Sequence, residues 1–97
     1  MTILILPAAR ENLAGGFDFY EEQEAGVGQY FLETLFSDID SLRLYAGMHP
    51  EAFGYHRLLS KRFPYAVYYS VEASKVLVSA VLDCRRDPAW IRKRLQS

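Results

Sequence analysis

Cysteine is nearly absent: Cys84 stands alone among 97 residues. A single thiol excludes an internal disulfide and a cysteine-built zinc site, and it fits a reducing compartment such as the cytoplasm. Long apolar runs are missing as well. The N-terminal stretch Ile3, Leu4, Ile5, Leu6 stops at Pro7 and has no basic lead, so neither a signal peptide nor a membrane span is expected. There is no glycine-rich phosphate loop, no nucleophile elbow and no dinucleotide fingerprint, which removes the footholds of ordinary metabolic chemistry. His49 and His56 lie seven residues apart without a carboxylate or cysteine at ligand spacing, so no metal and no cofactor is expected.

Basic side chains are scarce in one half only. Residues 1–54 hold two, Arg10 and Arg43, against nine acidic ones, whereas residues 55–97 hold nine basic against three acidic. The halves carry −7 and +6, which the overall −1 conceals. The basic half is able to meet a phosphate backbone or an acidic peptide.

The hydrophobic content of 51% suits one small globular domain spanning residues 1–97. Residues 2–6 read as a strand. Over residues 8–24, Ala9, Leu13, Phe17 and Tyr20 recur at helical spacing, with acidic residues on most of the other face. Gly15 and Gly16 fall inside this helix at a cost of about 1 kcal/mol each, so a bend or a close backbone neighbour is expected there. Glycines 26 and 28 mark a junction, and a second amphipathic helix is expected over residues 27–45, giving a helical hairpin.

Residues 46–54 read as a loop and residues 55–60 as a short strand. After Pro64, alternation from Tyr65 to Glu72 and the β-branched run of residues 76–82 predict two further strands. Their joining residues suit a hairpin, though without glycine they do not indicate a type I′ turn. Asp87-Pro88 opens a final helix over residues 89–95. The expected class is α+β in the order β-α-α-β-β-β-α, with the hairpin packed on one face of a mainly antiparallel sheet.

Three basic clusters lie near strand ends: Arg57, Lys61 and Arg62; Arg85 and Arg86; Arg92, Lys93 and Arg94. Guanidinium forks match phosphate and carboxylate geometry, and a groove shared by the clusters would make one anionic site. The alternative is a solvated rim with local pairs such as Arg86–Asp87. Tyr55, Tyr65, Tyr68 and Tyr69 accompany the clusters and suit either base stacking or the core. His56 beside Arg57 has a pKa range suited to proton transfer, or is an edge histidine without chemistry. Asp83 reads as a base or as the counter-ion of its neighbouring arginines. Cys84 reads as a thiol whose thiolate the two adjacent arginines favour or, at the end of an apolar strand, as a small buried hydrophobe.

Four segments resemble the RelE/ParE superfamily of type II toxin–antitoxin toxins, in its plasmid-stabilisation branch. They are YEEQEAGVGQYFLE at 20–33, HRLLSKRFPYAVYYSVE at 56–72, VLVSAVLDCRRDP at 76–88, and Trp90 with its basic helix. The resemblance implies the RelE/ParE toxin-like fold, a bacterial cytoplasmic location, and a cognate antitoxin encoded next to the chain as partner. RelE-like members cut mRNA on the ribosome without metal; ParE-like members inhibit DNA gyrase. The resemblance places Arg57 and Arg86 where RelE-type basic residues are expected; a nuclease would use them with Arg62 for phosphate stabilisation, with His56 or Asp83 moving protons. However, Ala66 stands where RelE carries an arginine, Arg92 falls near its C-terminal tyrosine, and Asp83 replaces the histidine common before the arginine pair. Each difference removes a catalytic group. The expected function is therefore a ParE-like toxin that binds an essential target such as DNA gyrase. A ribosome-dependent endoribonuclease and an inert antitoxin-binding module are the alternatives. The expected binding surface comprises Arg57, Lys61, Arg62, Arg85, Arg86, Trp90, Arg92, Lys93 and Arg94, covered in part by an acidic or amphipathic antitoxin segment.

Overall fold

The computed structural model describes residues 1–96. Strand β1 (Thr2–Ile5) leads into helices α1 (Pro7–Gln23), α2 (Val27–Asp40) and α3 (Leu42–Tyr45). Strands β2 (Glu51–Ala52), β3 (Tyr55–Leu59), β4 (Tyr65–Glu72) and β5 (Lys75–Asp83) follow, and helix α4 (Pro88–Gln96) is the last described element. The sheet order is β1-β5-β4-β3-β2. Only β1 runs parallel to its neighbour, β5; the other pairs are antiparallel.

Pro7 takes the first-turn position of α1, where its missing N–H costs nothing. The helix runs unbroken through both glycines. Neither the expected bend nor a close backbone explains them: a Cβ on Gly16 would sit 2.4 Å from the Phe31 ring, and one on Gly15 would meet nothing within 4 Å. The backbone approach lies instead at Gly28, whose added Cβ would fall 2.7 Å from the Phe17 carbonyl oxygen. There α1 and α2 meet closely. Glu21 fastens the junction, its two carboxylate oxygens accepting the Gly26 and Gly28 N–H groups at 2.9 Å each. A carboxylate at a helix start also complements the helix dipole.

The helix expected over 27–45 is interrupted at Ser41. Its hydroxyl donates to the Asp38 carbonyl at 2.6 Å, a local bond that competes with the helical ladder. The loop expected over 46–54 contains β2, joined to β3 by a two-residue turn. Phe53 and Gly54 both have positive φ, 57° and 85°, as a type I′ hairpin requires. Phenylalanine rarely takes that conformation. Its ring lies 6.3 Å from that of Tyr68, with the Arg92 guanidinium 5.4 Å from its centre.

Both faces of the sheet are covered. Leu13, Phe31, Leu35 and Ile39 of the hairpin pack with Val67, Tyr69, Val76, Val78 and Val81. On the other face Ile91 of α4 packs with Ala66, Tyr68, Ala80 and Leu82. The adjacent residues Tyr68 and Tyr69 are therefore both fully buried, one on each face. The register shifts there: Tyr69 pairs with Val78 and Tyr68 with Ala80, leaving Ser79 as a bulge residue. Because β1 reaches only to Val78, the Val81 N–H beyond it donates to the Asn12 side-chain oxygen at 3.0 Å. Cys84 is exposed rather than buried, because β5 ends one residue earlier and Cys84 already belongs to the turn. Among the described residues, no helix is long and apolar enough to cross a membrane.

Candidate partner-binding site

The three basic clusters are not gathered in one groove, although Arg86 and Arg94, from two of them, meet on the Trp90 ring. Lys61 and Arg62, in the β3–β4 connection, line a recess with Tyr30, Glu33, Ser37 and Asp38 on the α2 side. Arg86 lines a different groove, between α1 and the end of β5, with Asp83, Tyr65, Phe19 and Trp90. Arg92 borders a third, with Phe53, Tyr55 and Leu95.

Strand alternation separates the next pair. His56 stands opposite Tyr69 and Arg57 opposite Tyr68, so the two adjacent side chains lie on opposite faces. The His56 ring stacks on Tyr69 with centroids 5.2 Å apart, and its Nδ1 donates to the His49 carbonyl at 2.9 Å. The Tyr69 hydroxyl accepts the Gly47 N–H at 3.0 Å and lies 2.6 Å from Nδ1 of His49. This network ties the 46–50 segment to β4. Burial, and after it the neighbouring His56, hold His49 below its ordinary pKa.

The depressed pKa has a sign that can be measured. The unfolded chain takes up the His49 proton more readily, so neutral His49 stabilises the fold fully above about pH 6.5. That contribution is lost as pH falls towards the folded-state pKa. The melting temperature is expected to drop between about pH 7.5 and about pH 5.5, and to drop less in His49→Gln. Equal slopes in a pH series of thermal melts would assign the titration elsewhere.

Arg57 lies beside the fully buried Tyr68, whose hydroxyl makes no hydrogen bond of ordinary geometry among the described residues and has the Arg57 guanidinium as its polar neighbour. Burial raises the Tyr68 pKa, and the Arg57 guanidinium opposes it. Asp83 accepts from Arg85 Nε at 3.1 Å and from its terminal nitrogen at 2.8 Å, and also accepts the Arg85 backbone N–H. These bonds hold its carboxyl below the usual carboxylate range, against the opposing effect of burial. Such an anion is a counter-ion and a poor base.

The C-terminal cluster is organised by Trp90. The Arg86 and Arg94 guanidiniums lie 4.6 and 4.9 Å from its ring centre, and Asp87 caps the helix start by accepting the Ala89 N–H at 2.8 Å. Arg92, Lys93 and Arg94 are exposed on α4. Sequence reasoning did not single out Asn12, Gly15 or Phe19 as neighbours of Arg86; only the packing of α1 on β5 brings them there. Among the described residues, no group of three or more His, Cys, Asp or Glu side chains could hold a metal ion.

No family model matches the sequence, and no curated protein does. Among solved structures, the chain is similar to one from the chromosomal ParDE TA system of P. aeruginosa, with a TM-score of 0.75. Identity is 15%, over 84% of this chain and 92% of the other. What the two chains share is a fold, the α+β arrangement described above.

Proposed function

We propose that this chain is the toxin of a type II toxin–antitoxin system, acting ParE-like in the bacterial cytoplasm by binding an essential target such as DNA gyrase. A cognate antitoxin encoded beside it is its regulating partner. The fold similarity to a ParDE-system chain supports the system. The dispersal of the nuclease candidates supports binding over cleavage. His56 and Arg57 occupy opposite faces, Asp83 is engaged by Arg85, and Arg62 lines a recess separate from that of Arg86. Phosphate cleavage needs a proton-moving group and cations converging on one phosphate.

One observation favours the second reading, a ribosome-dependent, metal-independent endoribonuclease: the Tyr68 hydroxyl is placed beside the Arg57 guanidinium. Both readings are tested by inducing the chain alone in a bacterium, assaying mRNA integrity and DNA supercoiling in one culture. The expected result is growth arrest with intact mRNA and blocked supercoiling. Arg92→Ala/Lys93→Ala/Arg94→Ala should relieve arrest, whereas Tyr68→Phe and Arg86→Ala should relieve it less. Deleting α4 is a poorer test, because it uncovers Tyr68 and Leu82. Cut mRNA that becomes intact in Tyr68→Phe would establish the nuclease. Absence of arrest would leave the antitoxin-binding module.

A further inference from the structure

Two adjacent glycines in α1 have different explanations. Gly16 must lack a side chain because Phe31 fills the space, whereas a Cβ on Gly15 would project into open space. A glycine inside a helix is unfavourable relative to alanine, and no contact among the described residues accounts for Gly15. Gly15 lines the groove of about 310 Å³ between α1 and the end of β5.

The groove has apolar walls and unused donors. Phe19, Tyr65 and Trp90 supply rings. Arg86 stacks on Trp90 and forms no ion pair among the described residues, which leaves its N–H fork for a ligand. Asn12 uses its side-chain oxygen on Val81, which leaves its Nδ2 donors over. Of the acidic residues on the wall, Asp83 is engaged by Arg85. Glu11 forms no ion pair among the described residues and lies about two helical turns from Phe19.

From this geometry we infer that the groove receives an acidic segment of a protein partner, seating an aromatic or large apolar side chain over Gly15 and an adjacent carboxylate on Arg86. The partner class rests on the toxin reading, in which the occupant is the antitoxin; the groove itself does not. The absent side chain at Gly15 keeps the site open, and charge complementarity with the Arg86–Trp90 pair selects a carboxylate. Glu11 disfavours a second negative charge at its end of the wall, which orients the segment.

Trp90 is the chain's only tryptophan, so its emission reports directly on the groove. The probe is N-acetyl-Phe-Glu-amide, titrated into the purified full chain with excitation selective for tryptophan. The expected result is a saturable change in emission, weakened roughly tenfold with N-acetyl-Phe-Gln-amide, which lacks the charge. Gly15→Leu, filling the groove, is expected to weaken the Glu peptide by a comparable factor, while Gly15→Ala and Gly15→Leu melt no lower than the parent. No saturable change up to the solubility limit would overturn the inference, as would equal binding of both peptides or an unaffected Gly15→Leu. Lower melting of Gly15→Ala would also overturn it, by giving Gly15 a structural cause. Growth arrest on induction is read separately. Peptide binding without arrest preserves the groove and removes the toxin reading, and arrest without peptide binding does the reverse.

Discussion

Replacing Phe31 by alanine is expected to remove about 3–5 kcal/mol of stability, the range for emptying a buried aromatic site. Phe31 is fully buried, and its ring lies 5.2, 5.1 and 4.9 Å from those of Tyr20, Phe63 and Tyr65. It therefore joins α1, α2 and the start of β4. A domain of this size has roughly 5–15 kcal/mol in total, so the variant should lie close to its unfolding threshold at 37 °C. Urea unfolding measures the change. Gly16→Ala presses on the same ring from α1, and about 1–3 kcal/mol of overpacking should exceed the gain in helix propensity. Combined with Phe31→Leu, Gly16→Ala should cost less than it does alone, since the two positions share one volume. Additive effects would mean that the ring can move aside.

Gly28→Ala is expected to cost about 2–3 kcal/mol despite alanine's better helix propensity. Here the obstacle is the Phe17 backbone carbonyl, 2.7 Å from the added Cβ, and a backbone atom cannot rotate away. Relief requires α1 and α2 to separate, which also stretches the bonds from Gly26 and Gly28 to Glu21. Thermal melting and amide exchange across α1 and α2 would record the loss together. The opposite result, stabilisation in Gly28→Ala with wild-type exchange, would show that the hairpin has slack. Gly15→Ala, one helix away, makes the matched control because it meets nothing.

Most element positions were legible because they depend on local periodicity. The recurrence of Ala9, Leu13 and Tyr20 and the alternation from Tyr65 to Val71 each place apolar groups on one side of their own element. Segments without a strong local signal were less legible. The β2–β3 hairpin escaped notice because Phe53, rather than Asn, Asp or Gly, occupies the first left-handed position of its turn. Its ring contacts with Tyr68 and Arg92 come from remote parts of the chain. The separation of His56 from Arg57 was, in contrast, already implied by strand alternation: neighbours on a strand cannot serve one phosphate from the same face.

The sequence by itself determined the order of the main elements, the helical hairpin, the strands β1 and β3–β5 and the sorting of charge, since each follows from residue spacing along the chain. Only the tertiary structure decided how the basic residues are distributed among recesses, because that depends on register and on which element covers each face. The bulge at Ser79 shifts the side-chain alternation of β5, so Val78 and Val81 both face the helical hairpin while Ala80 and Leu82 face α4. With α4 on that second face, Tyr68 is buried, and Trp90 holds Arg86 at the groove beside Gly15. Those contacts join residues far apart in sequence, and their energies come from packing that no local pattern encodes.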